Sequence, residues 1–401
     1  MRWLMAGNHS LNSAMRVSTY HFAHLIASKG EFNPDFGFVD REGSYKILYL
    51  PAPISPSEYF KQKVDDRILE RRIFWGMAPK QVKERMWQYT PLRLFPSLSK
   101  MRARNGQWHH LSLRWSFPPL ISVLKKSGFY KPDVLIVTNL KYAWLDRVVK
   151  PRLLVYRAVD DIQGFSKSHH SLREAEIPLL GRCDLCVATS SVLADVLSKR
   201  GASEVHVIRN GAVKIQDSPV KNSPQASDLA SIPHPRVLYI GAINERINFP
   251  WLDFAANKLP DFHFVLIGPQ DVEPKGLEPR KNIHFLGPRF PENIDSYLHA
   301  SDIGMIPFKK NQLVNSTCPI KLYEYLAAGI PVVATRWREI EEIGAPIELA
   351  DDKESFVKGL NRSLSSAGGE NRIAFAQENT WEKRFKEFER LVLNAYYSQV
   401  K

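Results

Sequence analysis

The chain has 401 residues and a mass of 45.9 kDa, enough for two domains that each bury a core. Its 44% apolar and 24% charged residues exclude a disordered chain, and three cysteines cannot build a disulfide framework. No apolar run approaches the roughly 20 residues of a membrane-spanning helix, and MRWLMAGNHS lacks the apolar centre of a secretory signal, so a cytoplasmic protein is expected.

Taken in chain order, short apolar runs alternate with helical patterns. Residues 3–6 read as a strand, 21–28 as an amphipathic helix, and 46–50 as a strand stopped by Pro51. Strands follow at 134–138, 153–156 and 185–189, then a helix at 191–199 and a strand at 205–208. Asn210-Gly211 is a turn signal. Residues 215–235, rich in Pro, Ser and Asp, have no apolar period and read as a linker. The alternation then restarts, with strands at 236–240, 262–267, 283–286, 303–307 and 332–334 and helices near 250–258 and 291–299. A final helix at 380–397 puts Phe385, Phe388, Leu391, Val392 and Tyr396 on one face. The expected fold class is α/β, with two doubly wound domains facing across a cleft. The boundaries are 1–214, a linker at 215–235, a second domain at 236–379, and a terminal helix at 380–401.

The formal net charge of +13 is concentrated rather than spread. Residues 61–131 hold sixteen Lys or Arg against four acids, close to the whole excess. Trp75, Trp87, Trp108, Trp115, Phe60, Phe74, Phe95, Phe117 and Phe129 are interleaved with them. Cations beside aromatic rings suit an anionic membrane surface; an irregular basic subdomain with an aromatic core is the alternative. Single-stranded nucleic acid is disfavoured, because no nucleic-acid motif accompanies the charge. Cys183 and Cys186 have no second pair for zinc and read as packing.

The stretch NSTCPIKLYEYLAAGIPVVAT, residues 315–335, carries the most chemistry. Small polar residues and a proline lead into a helix that ends at Ala327, Ala328 and Gly329, before the next strand. Lys321 and Glu324 share one face near the helix start. A cation beside N-terminal N–H groups suits phosphate, and a carboxylate one turn on can accept from two ribose hydroxyls. A solvated salt bridge on a surface helix is the bland alternative. Gly241, in the first βα turn of the second domain, lets backbone approach a ligand, and Arg246 is placed to pair with diphosphate. In the first domain, Asp160 and Asp161 follow a strand, where a carboxylate can serve as general base; a helix N-cap is the other reading.

KLYEYLAAGIPVVAT resembles the donor-site segment of GT-B glycosyltransferases, the two-Rossmann-domain enzymes that use nucleotide sugars. FVLIGP (264–269) and NIHFLGPRF (282–290) are similar to strands and loops of their donor domains, which makes Arg289 and Phe290 candidate base contacts. VYRAVDD resembles the xanthan-type glucuronosyltransferases, and the teichuronic-acid-type transferases have a similar DD segment and K-L-Y-E-Y stretch. The resemblance spans most of residues 130–350 and is patchy before that. It implies a ribose role for Glu324, a base role for Asp160 with Asp161 in reserve, and Ser316 and Thr317 facing the sugar or phosphate. Retaining members carry a glutamate where this chain has Ser316, so the resemblance implies inversion. A retaining transferase, a sugar-nucleotide epimerase of this fold and a non-enzymatic basic binding protein are the rivals.

With no DxD-like pair beside the proposed diphosphate site, no metal and no other cofactor is expected. The partners expected are a nucleotide sugar, taken as a UDP-sugar, a lipid-linked or polysaccharide acceptor, and the inner face of an anionic membrane. His9, Ser10 and Arg16 are candidate acceptor contacts. Lys309, Lys310 and Arg336 are candidates for a uronate carboxylate on the donor.

Overall fold

The computed structural model describes residues 1–13, 16–29, 45–60, 66–94, 115–164, 170–213, 227–366 and 368–399. The chain divides into two compact units, Met1–Ile208 with Phe385–Lys401, and Arg209–Arg384.

In the first unit the strands are β1 (Arg2–Ala6), β2 (Lys46–Leu50), β3 (Lys80–Lys83), β4 (Met86–Gln88), β5 (Leu92–Arg93), β6 (Ser116–Phe117), β7 (Val134–Val137), β8 (Leu153–Ala158), β9 (Leu185–Ala188) and β10 (His206–Val207). Eight of them form one sheet in the order β10-β9-β8-β7-β1-β2-β4-β3. Every ladder in it is parallel except β3 against β4. β7, β8 and β9 are buried along their whole length, as strands with helices on both faces must be. β3 and β4 fall inside the basic segment, whose alternation of Lys, Gln and Trp hid them. Of that segment's aromatics, Phe74 and Phe129 are core, while Phe60, Trp115 and Phe117 are exposed; Phe95 and Trp108 lie outside the described residues.

The helix Trp381–Ser398 supplies the end of this unit. Phe385 and Phe388 pack edge-on against Phe22, at 5.8 and 5.0 Å between ring centroids, and Lys29 pairs with Glu389 at 2.9 Å.

The second unit has β11 (Arg236–Ile240), β12 (His263–Ile267), β13 (Ile283–Gly287), β14 (Ile303–Ile306), β15 (Val332–Thr335) and β16 (Glu348–Ala350) in the wholly parallel order β13-β12-β11-β14-β15-β16. Two of its helices start at polar side-chain caps of this kind: Asn248 accepts from the Trp251 N–H, and Asp352 and Ser355 form a capping box.

The division falls at 208/209 rather than at 214/215. Asn210-Gly211 is a close backbone approach rather than a turn: a Cβ on Gly211 would meet the Asn379 carbonyl oxygen at 2.8 Å. Asn210 Nδ2 donates to the Cys318 carbonyl at 2.6 Å, and Ala212 bridges Thr380, which fixes this stretch to the second unit. Residues 214–226 of the expected linker lie outside the described residues. Its remainder is packed structure, because Leu229 and Ile232 are buried in the second unit's core.

Candidate active site

The strand order of the second unit reverses at β11, with β12 and β13 on one side and β14 on the other. Ligands of open α/β sheets collect outside the carboxyl ends of the strands at such a reversal. Gly241 follows β11 there at φ 125°, a backbone region open to glycine, and a Cβ would stand 3.0 Å from Lys321 Nζ. The loops after β11 and β14 are clipped together by Lys309 N–H donating to the Arg246 carbonyl at 2.7 Å and by an Ile247–Phe308 bridge.

The helix Ile320–Ala327 delivers the charged pair. Buried Tyr325 holds it against β11, its hydroxyl accepting from the Ile240 N–H at 2.9 Å and donating to the Leu238 carbonyl at 3.2 Å. Pro319 precedes the first turn and gives no side-chain cap, so the first-turn N–H groups keep their anion-binding character. Lys321 Nζ lies 3.5 Å from the ring centroid of Tyr239 and 5.1 Å from that of Phe308. Burial pushes its pKa well below the ordinary lysine value; Glu324 opposes that shift and Arg246 adds to it. Burial pushes Glu324 up to about 7, against the pull of Lys321 and with a contribution from Asp295. Among the described residues neither the Lys321 nor the Glu324 side chain makes a hydrogen bond or an ion pair, so a surface salt bridge is not what the structure contains. The pair is instead a half-buried cation and acid on an aromatic floor, with Arg246 a second cation close enough to act on the first. Tyr239, Phe308 and Asp295 escaped the sequence reading; only the first two had a signal, as aromatics flanking Gly241 and Pro307.

Other candidates separate. Phe290 is 72% exposed at the start of the 3-10 turn Pro291–Asn293, open to stacking on a base. Arg289 is instead a tether: it pairs with Asp228 at 2.5 Å and donates to the Tyr297 hydroxyl at 2.8 Å, pinning the Ser227–Leu229 turn. Ser316 and Thr317 are buried, and both hydroxyls donate to the Leu313 carbonyl, at 3.1 and 2.9 Å. Their expected turn toward a sugar or phosphate is thereby corrected, since both close the short helix Gln312–Asn315. Lys310 and Arg336 are committed to Asp351, and Arg336 also to Glu341.

In the first unit, Asp160 and Asp161 follow β8 and part company. Asp160 is half-buried. Asp161 is fully buried, with Oδ1 2.8 Å from Arg200 Nη2; Arg200 Nη1 pairs with Glu176 at 2.8 Å, and Glu176 accepts from the Tyr156 hydroxyl at 2.7 Å. A carboxylate enclosed in that network is a structural acid, which corrects its reserve role as base. Ser10 is buried and accepts from Gln88 Nε2 at 2.8 Å, while the Arg16 guanidinium lies over Tyr20. Ser10 is therefore a fold contact. Asn8 Nδ2 approaches His9 Nε2 at 3.4 Å.

Two doubly wound units, the second with a desolvated cation and acid at its strand reversal, define the class: the fold is that of GT-B glycosyltransferases. Residues 234–366 match the family described as "Glycosyl transferases group 1", and the chain is a glycosyltransferase carrying that domain. It is 27% identical to the putative teichuronic acid biosynthesis glycosyltransferase TuaH of Bacillus subtilis (strain 168), over 91% of this chain and 95% of that one. Sucrose-phosphate synthase from Thermosynechococcus elongatus superposes with a TM-score of 0.67 at 12% identity, covering 99% of this chain and 100% of its own. Anabaena HepE in complex with UDP-glucose superposes at 0.60 with 16% identity, covering 98% and 100%.

Proposed function

We propose that the protein transfers a sugar from a UDP-sugar to a lipid-linked or polysaccharide acceptor in cell-envelope glycan synthesis, without a metal and with inversion at the anomeric carbon. The observation that carries the reading is Lys321 and Glu324, desolvated at the strand reversal of the second unit, with no side-chain hydrogen bond or ion pair among the described residues. UDP supplies what they lack: a diphosphate for Lys321, Arg246 and the helix N–H groups, ribose hydroxyls for Glu324, and a base for Phe290. The naming of TuaH for teichuronic acid biosynthesis and the UDP-glucose bound to HepE support the donor and the pathway class.

In the proposed step the Asp160 carboxylate takes the proton of an acceptor hydroxyl as its oxygen attacks the anomeric carbon. The bond from that carbon to the diphosphate oxygen breaks, and UDP leaves with the electron pair, stabilised by Lys321, Arg246 and the helix N–H groups. Inversion rests on Asp160 and on Ser316 standing where retaining relatives carry glutamate. Action at the inner membrane face rests on exposed Phe60, Ile73, Met77, Trp115 and Phe117 beside the basic residues of the same segment.

A thermal-shift panel of UDP-, GDP-, ADP- and dTDP-sugars is the test, repeated with chelator. A selective UDP response that Lys321→Ala abolishes is expected; equal response to all four, or full turnover by Lys321→Ala, would overturn the donor site. The anomeric configuration of the product, read by NMR, tests inversion.

A further inference from the structure

The helix that carries Lys321 and Glu324 has no side-chain cap of its own, so its first turn must be aimed from elsewhere in the second unit. Two side chains distant in the chain hold the two carbonyls just ahead of Pro319. Asn210 Nδ2 donates to the Cys318 carbonyl at 2.6 Å, and Trp337 Nε1 donates to the Thr317 carbonyl at 3.1 Å. Both donors are buried, Asn210 at 6% exposure and Trp337 at 3%.

Backbone geometry carries that grip to the helix. The Cys318–Pro319 peptide is planar, so a fixed carbonyl fixes the whole plane, and the proline ring locks the next φ, at −79°. One soft dihedral, the ψ of Pro319, then separates the clamped carbonyl from the Ile320 N–H, the first that the helix offers. Lys321 follows directly.

Asn210 is itself held firmly. Its carbonyl accepts from Arg384 Nε at 3.4 Å, and Arg209 pairs with the fully buried Glu339 at 2.7 Å. The Ala212 N–H donates to the Asn379 carbonyl at 2.8 Å, and its carbonyl accepts from the Trp381 N–H at 2.9 Å. Residues 209–212 and 379–384 are where the chain enters and leaves this unit, so the helix start is anchored to both ends of the unit at once. The other half of the Asn210 amide points to function. Its Oδ1 is buried with no hydrogen-bond partner among the described residues, a cost that packing alone does not require.

We infer that Asn210, seconded by Trp337, is a positioning residue for the donor diphosphate: it aims the first-turn N–H groups and Lys321, acting through the helix. The inference rests on the donor reading above.

The test uses the full chain, with UDP affinity read by calorimetry and uridine affinity by ligand-observed NMR, at a temperature where every variant is folded. Uridine keeps the base and ribose and lacks the phosphates. Its ribose contact, Glu324, neighbours Tyr325, which is anchored to β11 independently of Asn210. Asn210→Ala, and Asn210→Asp with the same shape and no donor, should each weaken UDP at least about tenfold and leave uridine within about twofold. Trp337→Phe, which keeps a ring and loses the N–H, should weaken UDP about threefold, and decides the matter if the Asn210 variants do not fold. Unchanged UDP affinity in the folded variants, with only the unfolding temperature lowered, overturns the assignment. An equal loss of UDP and uridine affinity overturns it too, since that is what a merely structural role predicts. Absence of UDP binding by the unsubstituted chain would overturn the donor reading itself, an outcome distinct from both.

Discussion

Replacing the two neighbouring aspartates one at a time should give opposite phenotypes. Asp161→Ala removes a fully buried carboxylate and leaves Arg200, whose side chain is 12% exposed, with Glu176 as its remaining partner in that network. Breaking a buried pair from one side costs about 3–5 kcal/mol, and retention of Glu176 puts this case at about 3. For a unit of this size that lowers the unfolding temperature by roughly 6–12 °C. Asp160→Asn removes a half-buried charge at a strand end and should change stability by less than about 1 kcal/mol. Loss of a general base instead costs about 100-fold or more in turnover. Calorimetric unfolding of both variants, paired with turnover of UDP-sugar in their folded fractions, reads the two effects separately. Wild-type stability in Asp161→Ala together with near-normal turnover in Asp160→Asn would refute the assignment of roles.

The remaining predictions concern the second unit. UDP affinity should fall below about pH 7, because the ribose hydroxyls need an ionised acceptor and burial keeps Glu324 protonated to about that pH. The loss approaches about tenfold per pH unit, and Glu324→Gln, titrated calorimetrically from about pH 5.5 to about pH 8.5, should remove this acid limb. At alkaline pH affinity should fall again as Lys321, whose pKa is lowered, loses its proton. Lys321→Met should abolish the UDP-induced thermal shift while leaving the ligand-free protein as stable as before, or more so. Phe290→Ala should raise the donor KM about tenfold through lost stacking, with the unfolding temperature unchanged. Arg289→Met should lower stability by about 1–2 kcal/mol through loss of the Asp228 and Tyr297 contacts and spare UDP affinity; a drop in affinity alone would restore a base-binding role.

The alternation of strands and helices was legible because buried parallel strands are apolar along their central positions, as 47–50 and 237–240 are. β3 and β4 were not, since Lys80, Gln81 and Lys83 are edge residues whose pattern is set by a neighbouring strand rather than by burial. The Lys321–Glu324 pair was legible because both residues lie on one helix. Its setting was not: the Tyr239 and Phe308 rings under Lys321 come from two different strand ends, and only the β11–β14 pairing brings them together. Residue type alone also could not separate Arg246 from Arg289, or Asp160 from Asp161. The separation depends on Asp228 and Arg200, partners distant in the chain.

The helix Trp381–Ser398 ends in the unit that holds β1, so that unit is discontinuous in the chain. During synthesis the second unit, Arg209–Arg384, emerges whole before the first has its last piece. Until then Phe22 lacks the two rings, Phe385 and Phe388, that cover it, and Lys29 waits for Glu389. The later half of the chain is therefore free to fold first. A fragment cut at residue 208 should be a poor stand-in for the first unit unless residues 385–401 are grafted back.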